Sequence, residues 1–492
     1  MTLIAESFSS SVRPVLRGRL GAVAAAHPLA VAAGQEMLVS GGTAADAAIA
    51  AQAVLCVVMP DACGLGGDML ALVHAPGKPI IALNGTGAAP LAFARAANDG
   101  PHSVTVPGIV DAWCELSKGE GRLPLARVLE PAIRLAKNGV RVSPTLARAL
   151  ASQRARLERG GAQAWALFDQ PAGALCKLPR LAGVLERVAR DGRSSFYEGA
   201  DARAIARAIR GLGGLLSESD LAAHATVVTR PIETRWGELN IVAQPPMAQG
   251  VLLNMAVKAL AGLGDFPADL NDHVAIELTE AAFAFRSRVA QGEALLSEPL
   301  TVDFKKAAHR GGPRAYLHTA GVATSDAEGR VVSSLVSVFD DFGSAVYVPE
   351  LGITLNNRAG GFTEGDNAPA PGKRPVHTLA PILVAGPHGV LGLATPGADG
   401  QVQTLLQILV GIQREGLDLA SAIARPRWRS ENGQLLIERS HVGISKLQSL
   451  DHDVLLLADG EVRFGAVVAA GFASAEPLAA ADWRRETWAG IA

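Results

Sequence analysis

The sequence predicts an α/β chain that combines antiparallel hairpins with alanine-rich helices. Three stretches carry that prediction. The run LHTAGVATSDAEGRVVSSLVSVFDDFG, residues 317–343, sets an apolar segment at 321–324 and an alternating one at 330–339 on either side of the polar turn Ser325-Asp326-Ala327-Glu328-Gly329. Two β-rich runs around an Asp- and Gly-bearing turn form a hairpin. A second hairpin has arms at 381–385 and 390–394 joined by Gly386-Pro387-His388-Gly389. Residues 27–39 and 43–59 are alanine-rich and helical in pattern, separated at Gly41-Gly42.

The other elements follow in order. Residues 1 to about 20 form an N-terminal arm. Pro60 and Asp61 stop the second helix. The run Cys63-Gly64-Leu65-Gly66-Gly67-Asp68 leads into strands at 69–74 and 80–83 around Pro76-Gly77. This glycine cluster lacks both the G-x-G-x-x-G spacing and the lysine of a phosphate loop, and it follows a helix, so nucleotide binding is not its role. Helices are clearest at 146–157 and 202–212. Residues 273–291 are helical too, and their many charges predict a solvated face. Gly311-Gly312-Pro313 is the best loop candidate. Near the second hairpin, the strand, the turn Thr395-Pro396-Gly397-Ala398-Asp399-Gly400 and a helix at 401–413 form a junction whose backbone N–H groups can converge on an anion.

Composition excludes several classes of function. The 492 residues suffice for one large or two to three ordinary domains. Hydrophobic content is 49% but aromatic content only 4%, so small aliphatic residues build the core. A net charge of −2 gives no electrostatic case for nucleic acid or an anionic membrane. Cys56, Cys63, Cys114 and Cys176 show neither metal-ligand spacing nor a disulfide framework, and buried thiols are expected. The first residues lack a continuous apolar signal region, and no run of about 18 or more apolar residues marks a membrane span. A cytoplasmic protein is the expectation.

The central hairpin resembles the γ-glutamyltranspeptidase family in register. That family carries a Thr-Thr-His run, an Asp-x-x-Gly turn, a Thr or Ser on the next strand, and Phe-Gly. Here Asp326 and Gly329 fall on the turn, Ser337 on the strand position and Phe342-Gly343 on the Phe-Gly. Further matches run in order along the chain: GGTAADAAIA at 41–50, Val104-Thr105-Val106-Pro107-Gly108, Glu130-Pro131-Ala132-Ile133, Phe196-Tyr197, Gly213-Gly214, and Gln244-Pro245-Pro246 with Gly250. The resemblance implies a four-layer α/β/β/α sandwich of the N-terminal-nucleophile hydrolase type. It also implies that the chain cuts itself between His318 and Thr319. Segments 1–318 and 319–492 then become two subunits of one composite fold, a heterodimer whose further dimerisation is left open. Thr319 becomes the nucleophile and its freed α-amine the base. Such an amine titrates at about 7.7–8.0, low enough to take the hydroxyl proton near neutral pH. Ser337 hydrogen-bonds the nucleophile, and Gly397 and Ala398, in place of a Gly-Gly pair, form the oxyanion hole. The chemistry needs no metal or organic cofactor.

The departures from the family point to the substrate. Family enzymes bind a glutamyl carboxylate through an arginine where this chain has Thr86. They bind its amine through polar groups where this chain has Phe339, Arg358 and Gly361, and a Ser-Ser pair is replaced by His377-Thr378. An arginine in the former amine pocket repels an ammonium and suits a carboxylate. The expected substrate is therefore a small carboxylate-bearing amide, and Asn356-Asn357-Arg358 with Lys373-Arg374-Pro375-Val376-His377-Thr378 is similar to the oxamate amidohydrolase branch. Two alternatives stay open: a conventional γ-glutamyl hydrolase or transferase, and an unprocessed, non-enzymatic relative. Ala320 and Gly321, replacing the second Thr and the His, keep the latter alive.

Overall fold

In the computed structural model, residues 12–93, 95–311 and 319–492 are described. Two seven-stranded sheets form the centre. The first runs, in spatial order, Trp488–Ile491, Gly21–Ala25, Ala320–Asp326, Val331–Ser337, Asp68–His74, Ile81–Gly85 and Val227–Thr229. The second runs Leu16–Arg17, Glu476–Ala481, Val468–Ala473, Gly389–Ala394, Ile382–Gly386, Leu239–Ala243 and Ile232–Trp236. Pairing within both sheets is antiparallel. Part of the expected N-terminal arm is thus a strand.

The sheets stack face to face through small side chains. Ala22, Ala24, Ala323, Ala394, Ala470 and Ala479 share one buried cluster with Leu70, Leu335 and Val468. Helices Pro28–Val39 and Ala44–Val58 cover the outer face of the first sheet. Helices Gly250–Gly262, Asn271–Phe283 and Gly400–Gln413 cover the second. The result is a four-layer α/β/β/α sandwich of the N-terminal-nucleophile hydrolase type. Strand Val331–Ser337 is buried at every residue, because sheet lies on one face and helix on the other.

Two of the sequence matches prove to be one structural device. Thr43 caps Ala44–Val58 in a capping box with Asp46. The hairpin-turn residue Asp326 accepts Ala44 N–H through Oδ2, at 2.9 Å, and Glu328 and Arg330 N–H through Oδ1. One carboxylate closes the turn and sits at the helix N-terminus, where negative charge is favoured. The turn therefore fixes the helix against the strand that begins just after Thr319.

The segment 273–291 departs from expectation. The α-helix ends at Phe283 and a 3-10 stretch, Arg286–Ser297, follows. Its charges are not all solvated, since His273 and Glu277 are fully buried. Glu277 accepts Ala308 N–H and pairs with Arg310, so the chain leading toward the expected cleavage point docks on this helix. Among the described residues, no helix is long and apolar enough to cross a membrane.

Candidate active site

Thr319 stands at the mouth of strand Ala320–Asp326, 3% exposed. Its hydroxyl donates to Ser337 Oγ across the hairpin at 3.4 Å. That is long for O–H···O. Ser337 Oγ also accepts Phe339 N–H at 2.9 Å, which fixes its rotamer. His318 lies outside the described residues.

The glycine cluster at 64–67 is a packing device that delivers an acid to this spot. A Cβ on Gly67 would come within 2.5 Å of the Ser337 carbonyl oxygen, and one on Gly66 within 2.1 Å of the Thr354 carbonyl. Only glycine lets the loop pass this close. The next residue, Asp68, then pairs directly with Ser337 in the first sheet.

Asp68 organises the site. It is fully buried, and Oδ2 accepts Arg358 Nε–H at 2.9 Å and His377 Nε2–H at 3.3 Å. Its Oδ1 faces Gly87 N–H at 3.4 Å. Burial pushes the Asp68 carboxyl up, but hydrogen bonding from His377 and the Arg358 charge outweigh it and hold the carboxyl below its ordinary range. His377 Nδ1 accepts Leu379 N–H at 3.2 Å, so the proton belongs on Nε2. Burial, and then the Arg358 charge, push His377 down to about 4, leaving it neutral near pH 7.

Arg358 is also completely buried. Burial lowers its pKa against the opposing pull of Asp68, but a guanidinium keeps its charge in a protein. Its Cζ lies 4.5 Å from the Phe339 ring centroid, a cation–π contact, and Phe339 adopts φ +87° to present that ring. Asn356 holds the backbone beneath it, accepting Arg358 N–H and Thr105 N–H through Oδ1 and donating to the Gly66 and Thr105 carbonyls. Asn357 ties the same loop to Asp340. Among the described residues, Nε alone of the guanidinium nitrogens has a hydrogen-bond partner, and Nη1 and Nη2 have none.

The turn between strand Gly389–Ala394 and helix Gly400–Gln413 has φ +125° at Gly397 and +48° at Ala398. Alanine reaches the left-handed region at some cost and still presents an N–H. Among the described residues, neither amide donates to a protein acceptor. Pro396 shares a cavity lining with Thr319, and the strand leading into the turn stacks on the Thr319 strand, Ala394 meeting Gly321. Gln249 Nε2 bridges the Thr378 and Ala398 carbonyls at 2.9 and 3.0 Å, binding the turn to the His377-Thr378 segment.

The structure thus gathers Thr319, Ser337, Phe339, Arg358, His377 and Thr378 around Asp68 and the turn. It alters three expected contributions. Thr86 turns its hydroxyl onto Asn84 Oδ1 at 2.7 Å. His377 spends both ring nitrogens within the protein, so it supports Asp68. Arg358 is not a lone cation but one half of a buried pair. Asp68, Gln249 and Asn356 were missed by sequence reasoning. Asp68 had a signal, an acid closing a glycine run at the start of a strand, whereas Gln249 and Asn356 had none beyond their neighbours.

A metal-ligand grouping also exists among the described residues, at His273, Glu277 and His452. Its atoms are already partnered. His273 Nε2 donates to the Asp303 carbonyl, His273 Nδ1 meets His452 Nε2 at 2.8 Å, and the Arg310 cation occupies Glu277. Those contacts occupy both ring nitrogens of His273 and Nε2 of His452 within the protein.

The γ-glutamyltranspeptidase family model matches residues 30–491. An oxamate amidohydrolase proenzyme of Klebsiella pneumoniae subsp. pneumoniae is 32% identical, covering 90% of this chain and 93% of that protein. A glutathione hydrolase-like YwrD proenzyme of Bacillus subtilis is 31% identical over 82% of this chain and 84% of its own. The crystal structure of a cephalosporin acylase from Bacillus halodurans matches with a TM-score of 0.90 at 28% identity, covering 100% of this chain and 99% of that one.

Proposed function

Since the chain belongs to the γ-glutamyltranspeptidase family and is an amidohydrolase of that family, we propose that Thr319 is its nucleophile and that it hydrolyses small amides carrying a carboxylate next to the scissile carbonyl. Self-cleavage at His318–Thr319 frees the α-amine, and the two fragments, 1–318 and 319–492, stay together as one enzyme. The proenzyme names of two relatives support cleavage. The amine takes the hydroxyl proton as Thr319 Oγ attacks. Ser337 orients the hydroxyl, and the N–H groups of Gly397 and Ala398 receive the oxyanion. The leaving amine departs with the proton, and water resolves the ester.

One observation carries the substrate class. Arg358 is wholly buried, paired through Nε alone, and keeps two terminal nitrogens unpartnered among the described residues. A fork of that kind accepts a carboxylate bidentately, and a buried donor left unpaired is costly until one arrives. The same fork beside the Phe339 ring offers donors only and so no acceptor for the ammonium of a glutamyl group. The Klebsiella relative's name agrees with this reading. The Bacillus subtilis relative's name favours a second one, γ-glutamyl hydrolysis or transfer.

Kinetics decide between them. Ammonia release from oxamate is expected, with weak or absent release from γ-glutamyl-p-nitroanilide. Arg358→Gln is expected to lower kcat/KM on oxamate by roughly a hundredfold or more, the scale of a lost charged contact. Cleavage into fragments, which involves no substrate carboxylate, should change far less. Efficient γ-glutamyl release without oxamate turnover would overturn the substrate reading.

A further inference from the structure

A cavity of about 340 Å³ opens against Thr319. Val58 and Met59 at the end of the second helix, Leu146 and Ala149 of helix Pro144–Arg159, Pro396 before the anion turn, and Val462 give it largely apolar walls. Arg148 and Asp61 are among the charged side chains that complete the lining, so neither sign dominates. Arg358, Asp68, Phe339 and His377 do not line it. Thr319 therefore borders a largely apolar cavity that the buried Arg358–Asp68 pair does not line.

We infer that this cavity receives the amine half of the substrate, and that the preferred substrates are secondary amides in which the leaving amine carries an apolar body. The inference rests on the reading of Thr319 as the nucleophile of a carboxylate-selective amidase. An amide bound for attack places its carbonyl at Thr319 and extends both ways. With the carboxylate held at Arg358, the nitrogen substituent extends toward this cavity. Ammonia, about the size of a water molecule with its share of roughly 30 Å³, leaves most of that volume unfilled. A phenyl or short alkyl body fills it and exchanges water for apolar contacts. The step stays balanced. Thr319 Oγ bonds to the acyl carbon as the C–N bond breaks, the hydroxyl proton passes through the α-amine to the leaving nitrogen, and water then hydrolyses the ester.

The test compares N-benzyloxamate with oxamate on the mature enzyme. The inference predicts kcat/KM at least about tenfold higher for the N-benzyl compound, the scale of a few methylenes placed in an apolar pocket. Ala149→Phe fills the cavity from one fragment and Val462→Phe from the other. In whichever variant matures into two fragments, and so has folded, that ratio is expected to fall about tenfold. Oxamate turnover with a ratio at or below one overturns this inference alone, as does a ratio that both filled variants leave unmoved. No turnover of either oxamate overturns it together with the carboxylate reading.

Discussion

Asp68 bears two charged or polar partners at once, and the behaviour of the pocket follows from that. Its carboxylate offsets Arg358 and fixes the tautomer of His377. Asp68→Asn leaves a buried guanidinium without a counter-ion, and removing one partner of such a pair costs about 3–5 kcal/mol. Chemical denaturation should show that loss, and a loss under about 1 kcal/mol would mean that Arg358 is not neutralised by Asp68. His377 makes a separate prediction. It is held at about 4 in the folded protein against an ordinary 6.5. Between those values the unfolded chain binds a proton that the folded one does not, so stability falls as pH drops from 6.5 to 4, by up to about 1.4 kcal/mol per pH unit, and is unaffected above that window. His377→Gln should remove that part of the slope in denaturation curves taken at pH 7, 6 and 5, and an unchanged slope would show that His377 is not buried in its neutral form. Arg358 was legible in the sequence because it replaces a neutral amide in a pattern that needs one. Its neutralisation was not, because Asp68 lies 290 residues away and meets Arg358 only once the 3-10 turn Arg358–Gly361 is tied to the glycine loop through Asn356.

The hairpin that carries Thr319 was legible as an element, as were the hairpin at Ile382–Ala394 and both alanine-rich helices. Turn chemistry and helix caps are local signals, and here they agree with the tertiary structure. The strands Val468–Ala473 and Glu476–Ala481 were not legible. Their sequence, VAAGFASAEPLAAA, lacks alternation and has Val468 as its one β-branched residue, because small side chains fill the narrow space between two stacked sheets. The buried face of Asn271–Phe283 escaped for the converse reason: its charges are matched by residues near 308–310 that no local pattern links to it. Close sheet stacking makes the Thr319 strand intolerant of bulk. A Cβ on Gly321 would lie 2.9 Å from Val468 Cγ2. Gly321→Val is therefore expected to cost about 1–3 kcal/mol through overpacking and, by shifting the strand, to slow cleavage at Thr319. A thermal melt and a time course of fragment appearance check both, and a variant matching the parent in both would show that the sheets have slack at this point.

At the scale of the molecule, the proposed cut divides each sheet without dividing the fold. Segment 1–318 supplies Gly21–Ala25, Asp68–His74, Ile81–Gly85 and Val227–Thr229 to the first sheet, while 319–492 supplies Ala320–Asp326, Val331–Ser337 and Trp488–Ile491. The second sheet is mixed in the same way. Neither fragment can close its core alone, so the two are expected to copurify and to unfold in one transition, and fragments separating in native buffer would contradict an interleaved fold. The central claim, that cleavage creates the nucleophile, is tested most directly by the intact mass and N-terminal sequence of the purified protein beside its Thr319→Ala variant. The account predicts two fragments, the smaller beginning at Thr319, and one uncut chain for the variant; a small fragment beginning elsewhere, or an active protein that is never cut, would contradict it.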